Sequence, residues 1–275
     1  MSPLWRKRVR IALAPDGVAA VLMARGRKPA VEKKLAWACQ PGPSDTQPWQ
    51  AAVRALAEGI VELQAKGADA TIVLSNHFVR YALLPWSDQV TGAEERQAMA
   101  RISFERHFGG AAKGWSVRLS DDAYGKPSLA SAVDMPLPEA IVQACNGAGL
   151  RPFSVQPYLM SVFNQYRRQL AVPNTCLVVA EPRKIGMLMA GADGWFAVRT
   201  LPLRDGLSQE LLPLVRRELL LAGLPAPARI YLHAPGEVAA PMADGQPFDL
   251  LELPPHAGFS PRDDAAYSMA MSGAA

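Results

Sequence analysis

The sequence predicts an α/β protein built from two mixed-sheet halves that face each other across a cleft. One structural pattern is laid out twice, and the stretch at about 78–134 has no counterpart in the second copy. Self-similarity of this kind decides the architecture before any single element does. Three apolar runs open the chain: Arg8 to Ala14, Val18 to Ala24 and Val31 to Ala38. A helical stretch, Gln50 to Lys66, and a strand-like run, Ala70 to Ser75, complete the first copy. The order returns with Cys176 to Ala180, Ile185 to Ala190 and Trp195 to Leu201, then helical Leu207 to Ala222 and strand-like Arg229 to Leu232.

Each element has a local reason. Val53, Leu56, Ile60 and Leu63 share one face of the first helix at three- and four-residue steps, and Gly67 stands where a C′ glycine would. Gln40 to Gln47 is a loop by its Pro, Gly and Ser content. Phe78 to Leu84 alternates toward Pro85-Trp86 as a strand does. Thr91 with Glu94 forms a capping box for a helix running to Phe108. Trp115 to Leu119 and Leu129 to Asp134 form a strand pair. Pro138 to Ala148 and Tyr158 to Leu170 are helices on either side of the strand Leu150 to Val155. Asp263 to Ala274 is a small-residue helix. The halves are therefore 1–173, with the inserted subdomain about 78–134, and 174–275, with the C-terminal helix about 263–274. A duplicated strand-strand-strand-helix-strand unit is the layout of the actin-like (ribonuclease H-like) fold.

Composition excludes several classes. The chain has 275 residues, enough for roughly two domains, with 49% hydrophobic and 20% charged residues. No apolar run approaches the roughly 20 residues that cross a bilayer, and the start reads as a first strand, so the expected compartment is the cytoplasm. A net charge of +4 does not argue for nucleic acid. The densest basic cluster, Arg6, Lys7, Arg8 and Arg10 beside Trp5, is either a patch for anionic lipid or a solvated first strand. Cys39, Cys145 and Cys176 lack CxxC spacing, and His77, His107, His233 and His256 are scattered, so neither a disulfide framework nor a metal site is expected. Asp121-Asp122 and Asp263-Asp264 are neighbours that point apart and make no acid/base pair. No nucleophile elbow occurs. His107 to Gly114 lacks the GxxxxGK[ST] order of a P-loop.

ATIVLSNHFVRYALLPWSD, FERHFGG, YGKPSLASAVD and LRPFSVQPYLMSVFNQYRRQL, in that order, resemble the actin-like proteins of type IV pilus and type II secretion assembly platforms. This group comprises the PilM, MSHA-pilus and GspL cytoplasmic-domain proteins. The series covers most of residues 8–271, and the closing AAYSMAMSGA resembles the C-terminal helix of the PilM group. The resemblance rests on ordered short segments, with no single diagnostic motif. It implies a cytoplasmic scaffold, peripherally associated with the inner membrane, that binds the cytoplasmic tail of a bitopic platform protein. A cytoplasmic secretion or pilus ATPase is a further partner it leaves open. GspL proteins continue into a membrane span, and this chain ends without one, which is more like the PilM arrangement.

An actin-like ATP site needs two phosphate-binding hairpins, each with an acidic residue and a glycine that presents backbone N–H groups. In the first, Asp16 and Gly17 survive, but Val18, Ala19 and Ala20 replace the hydroxyl and lysine positions. Asp-Gly is equally a good tight turn. In the second, Glu181 stands at the acidic position, and Pro182 replaces the glycine, losing an N–H. Arg183 and Lys184 are either compensating charge or solvated turn residues. The expectation is remnant hairpins (Asp16, Gly17, Glu181), no catalytic residue, no metal, and ATP/Mg disfavoured as cofactor. The rival reading is an active actin-like ATPase or small-molecule kinase. A filament former is a third. For the partner tail, Arg80, Tyr81, Leu83 and Trp86 lie on or beside one strand of the insertion, where an edge docks an extended peptide. The core is the competing assignment for these side chains.

Overall fold

A computed structural model describes residues 6–26, 30–90, 92–120, 124–171, 174–191, 194–221, 223, 229–236 and 248–273. The first copy contains β1 (Arg8–Leu13), β2 (Gly17–Met23), β3 (Val31–Ala38), α1 (Gln50–Gly59), a 3-10 turn (Ile60–Leu63) and β4 (Asp69–Leu74). The intervening segment holds β5 (Arg80–Leu84), α2 (Ala93–Phe108), β6 (Trp115–Leu119) and β7 (Ser128–Asp134). Next come α3 (Pro136–Gly147), β8 (Arg151–Pro157) and α4 (Tyr158–Tyr166). The second copy contains β9 (Thr175–Glu181), β10 (Lys184–Gly191), β11 (Gly194–Pro202), α5 (Leu207–Leu221), β12 (Arg229–His233) and β13 (Phe248–Leu250). The chain closes with α6 (Ser268–Ser272).

The two copies build sheets of the same topology. Their orders are β3-β2-β1-β4-β8 and β11-β10-β9-β12-β13, each an antiparallel three-stranded start followed by two parallel strands. Strands covered on both faces read as continuous apolar runs, which is why β2 is Val, Ala, Leu and Met after Gly17 and why β10 is apolar from Met187 to Ala190. The duplication seen in the sequence is therefore a duplication of sheets, and the chain has the actin-like fold.

Contacts group the chain into two compact units. The first comprises Met1–Phe78, Pro136–Gln165 and Glu252–Ala275; the second comprises Val79–Met135 and Tyr166–Leu251. The grouping crosses the sequence order at two places. The segment 79–135 belongs with the second sheet, where β5 lies beside β11, and the C-terminal segment belongs with the first. In the first unit, α6 packs on β1, β2 and β4. It is pinned by Arg10 Nη1, which donates to the Met271 carbonyl at 2.8 Å, and by Ser161 Oγ, which donates to the Ser272 carbonyl at 2.7 Å. In the second unit, β5, β7 and β6 form an antiparallel sheet covered by Ala100 and Phe104 of α2.

Element ends shift for local reasons. The predicted helix 50–66 tightens into a 3-10 turn at Ile60, next to Gly59, which leaves room for the Trp37 indole, and Gln64 closes it in the left-handed region at φ 52°. Thr91 lies outside the described residues. The N-cap of α2 is Gly92, whose N–H donates to Glu95 at 3.2 Å, one residue later than the expected capping pair. The predicted helix 263–274 is a short 3-10 turn, Ala265–Tyr267, followed by α6.

Candidate functional sites

The second hairpin joins β9 to β10 through a two-residue turn, with Glu181 paired to Lys184 across it. Pro182 takes the first central position, and Arg183 takes the second at φ 62°. This is a type II turn with an arginine where glycine or asparagine is usual. The turn borders a cavity of about 400 Å³ that is also lined by Leu203, Arg204, Gly206 and Leu207 and by Ala234-Pro235. Three backbone donors at or beside this wall have protein acceptors. The Leu203 N–H donates to the Arg183 carbonyl at 2.9 Å, and the Arg204 and Asp205 N–H groups both donate to Glu210 Oε1. Those two bonds hold the Glu210 carboxyl below the usual carboxylate range. A carboxylate from the first turn of α5 thus occupies two donors of the segment that leads into the helix.

Glu181 is buried, with 8% of its surface exposed. Lys184 beside it is pushed below the usual lysine range, first by burial and then by the Arg80 charge, while Glu181 acts in the opposite direction. The fold of this unit therefore brings Arg80 of the insertion and Glu181 of the hairpin into one electrostatic neighbourhood. Sequence order leaves these residues a hundred positions apart.

The first hairpin is tight. The Ala14 N–H donates to the Gly17 carbonyl at 2.9 Å, and the Asp16 carbonyl accepts from the Cys39 N–H at 3.0 Å. The Asp16 side chain is exposed. Gly17 does not need a left-handed φ; its role is close approach, since a Cβ there would stand 3.3 Å from the Trp37 carbonyl oxygen.

The four insertion residues separate. Tyr81 is buried at 8% exposure, and Leu83 is half-buried. The Arg80 guanidinium lies over the Trp115 ring at 5.6 Å. Trp86 is half-buried, donates from Nε1 to Asp88 at 2.9 Å and meets the Tyr124 ring edge-on at 4.5 Å. Trp86 also lines a shallow hollow with Leu84, Pro85, Val90, Met99 and Leu119.

A larger hollow of about 830 Å³, absent from the sequence reading, lies in the first unit between Trp37, the Gln40–Ser44 loop and α1. The loop is held by Arg54, whose Nη1 and Nη2 reach the two Asp45 oxygens at 3.1 and 2.7 Å while Nη2 also donates to the Gln40 carbonyl. Proline and glycine content predicts this loop, but no local signal predicts the Arg54 tether. No group of three or more His, Cys, Asp or Glu among the described residues could hold a metal ion. No helix among them is long and apolar enough to cross a membrane.

No protein-family profile matches the sequence, and no curated protein does. Solved structures do match. A chain of a PilM-PilN type IV pilus biogenesis complex aligns with a TM-score of 0.59 and 18% identity, over 82% of this chain and 80% of that one. The cytoplasmic domain of EpsL, an inner membrane component of the type II secretion system of Vibrio cholerae, aligns with a TM-score of 0.61 and 10% identity, over 98% and 96%. A protein of actin-like ATPase fold and unknown function from Bacteroides thetaiotaomicron aligns with a TM-score of 0.58 and 10% identity, over 86% and 84%.

Proposed function

We propose that this actin-like chain is a non-catalytic cytoplasmic scaffold of a type IV pilus or type II secretion assembly platform. It associates peripherally with the inner membrane and binds the cytoplasmic tail of a bitopic membrane protein. The observation that carries the non-catalytic part is the Pro182-Arg183 turn. A phosphate cradle needs free N–H groups from small residues. Here Pro182 has none, and Arg183 holds the turn's left-handed position. The neighbouring Leu203, Arg204 and Asp205 donors serve Arg183 and Glu210. These residues do not suit a nucleotide's phosphates. The partner part is supported by likeness to a chain of a PilM-PilN complex and to an inner-membrane secretion component.

The proposed contact runs along β5, with Arg80 at its start, half-buried Leu83 on it and Trp86 just past its end; Tyr81 is buried. Arg80 supplies charge, and the half-buried Trp86 ring supplies apolar surface for an extended tail. The test is co-purification with the cytoplasmic tail of a single-span membrane protein encoded beside this chain. Arg80→Glu and Trp86→Ala are expected to abolish capture while leaving the circular dichroism spectrum unchanged. Capture retained by both variants would move the groove elsewhere, and no capture by the wild type would overturn the scaffold reading.

A further inference from the structure

One end of the first unit's sheet collects cations that the sequence scatters. β1, β4 and β8 are parallel and begin in register, with Arg8 opposite Asp69 and Asp69 opposite Arg151. β2 runs the other way and finishes there, Met23 opposite Arg8, so the turn bearing Arg25 and the start of β3 bearing Lys33 reach the same end. The links that enter β4 and β8 are tied by a bond from the Gly67 N–H to the Gly149 carbonyl at 2.8 Å, which places Lys66 at this end too.

Few carboxylates answer these charges. Asp69 is shared by Arg6 at 3.7 Å and Arg151 at 3.5 Å, and Glu32 pairs with Lys7 at 2.5 Å. Lys33 donates to the backbone carbonyl of Glu62. Arg8, Arg25 and Lys66 have no carboxylate partner among the described residues, and Arg25, Lys33 and Lys66 are exposed. Two apolar side chains stand out among them: Phe153, on β8 two residues beyond Arg151, is 70% exposed, and Val61, beside Glu62, is 55% exposed.

We propose that this end of the first unit docks on the anionic lipid headgroups of a bilayer. Charge complementarity selects a polyanionic surface, because each lysine or arginine at such a membrane raises affinity roughly fivefold. The exposed phenylalanine and valine select a bilayer over a duplex. They bury at the headgroup–acyl boundary, whereas a phosphate backbone rewards the cations alone. The proposal deepens the membrane-associated part of the scaffold reading by naming the surface and its ligand. It does not depend on the partner tail.

The test is flotation of the full chain with phosphatidylcholine vesicles, with and without phosphatidylglycerol, at low and high salt. Binding is expected only with phosphatidylglycerol and is expected to fall with salt. The triple variant Arg25→Gln, Lys33→Gln, Lys66→Gln should lower partitioning on the order of a hundredfold. Lys66→Gln alone should lower it about fivefold and serves if the triple variant does not fold. Phe153→Ser should weaken binding at unchanged charge. Equal binding to both vesicle types, wild-type binding by the charge variants, or tighter binding to a double-stranded DNA fragment would overturn the proposal. Capture of the partner tail on lipid-free beads should survive the triple variant, so the docking face and the scaffold reading fail separately.

Discussion

His233 gives the second unit a pH dependence whose size follows from its surroundings. It ends β12 at 2% exposure, its Nδ1–H donates to the Leu251 carbonyl at 2.7 Å, and its ring centroid lies 6.3 Å from that of Tyr166. Burial pushes its pKa down to about 4, against the smaller opposing effect of the carbonyl. The unfolded chain titrates near 6.5, so below that value the unfolded state takes up a proton that the folded state refuses. The stability from neutral His233 is fully present above about pH 6.5 and is lost as pH falls toward about 4. The loss integrates to about 2 kcal/mol near pH 5 and about 3 kcal/mol near pH 4. Urea unfolding of the wild type and of His233→Asn, measured from about pH 7 down to about pH 4.5, reads this difference. Asn keeps a donor for Leu251 but does not titrate. Asp45, Glu210 and Asp264, all held below the usual carboxylate range, lose stability in the same direction but do so in both proteins. Identical pH slopes for the two proteins between about pH 7 and 5 would refute the assignment.

Three further substitutions test packing and turn chemistry. Gly59→Ala would place a Cβ 2.3 Å from Trp37 Cε2, and the indole is tethered through Nε1 to Glu62 at 3.2 Å. Despite better helix propensity, the variant should lose about 1–2 kcal/mol in chemical denaturation. Ser161→Ala removes the buried donor to the Ser272 carbonyl and should cost about 1–3 kcal/mol, with faster amide exchange in α6 as its local sign. Arg183→Gly relieves a left-handed arginine at φ 62° and should raise stability by up to about 1 kcal/mol, the larger entropy of the unfolded glycine offsetting part of the gain. A loss of stability there would mean that the arginine side chain contributes more than its backbone strain costs.

The sheets were legible because their central strands are apolar runs bounded by turn residues, so β1, β2, β9, β10 and β12 fell close to their predicted ranges. β13 was not legible: three residues carry no period, and Phe248–Leu250 becomes a strand only by pairing with β12. Membership of 79–135 and 252–275 in their units was equally hidden, since it depends on β5 meeting β11 and on α6 meeting β1 and β4. At the second hairpin, Pro182 announced the missing N–H, but the capture of two more donors by Glu210 did not, because no local pattern distinguishes that glutamate from one facing solvent. The basic end was half legible. Arg6, Lys7 and Arg8 are contiguous, whereas Lys33 joins them through the antiparallel register of β2 and β3, and Lys66 and Arg151 through the parallel register of β4 and β8.

On the proposed scaffold reading, the repeat is kept as architecture without its phosphate chemistry. Isothermal titration of the full chain with Mg-ATP tests it most directly. No binding at micromolar affinity is expected for the wild type. Micromolar binding that Asp16→Ala abolishes would contradict it, because the first hairpin would then be working with a second one that Pro182 does not impair.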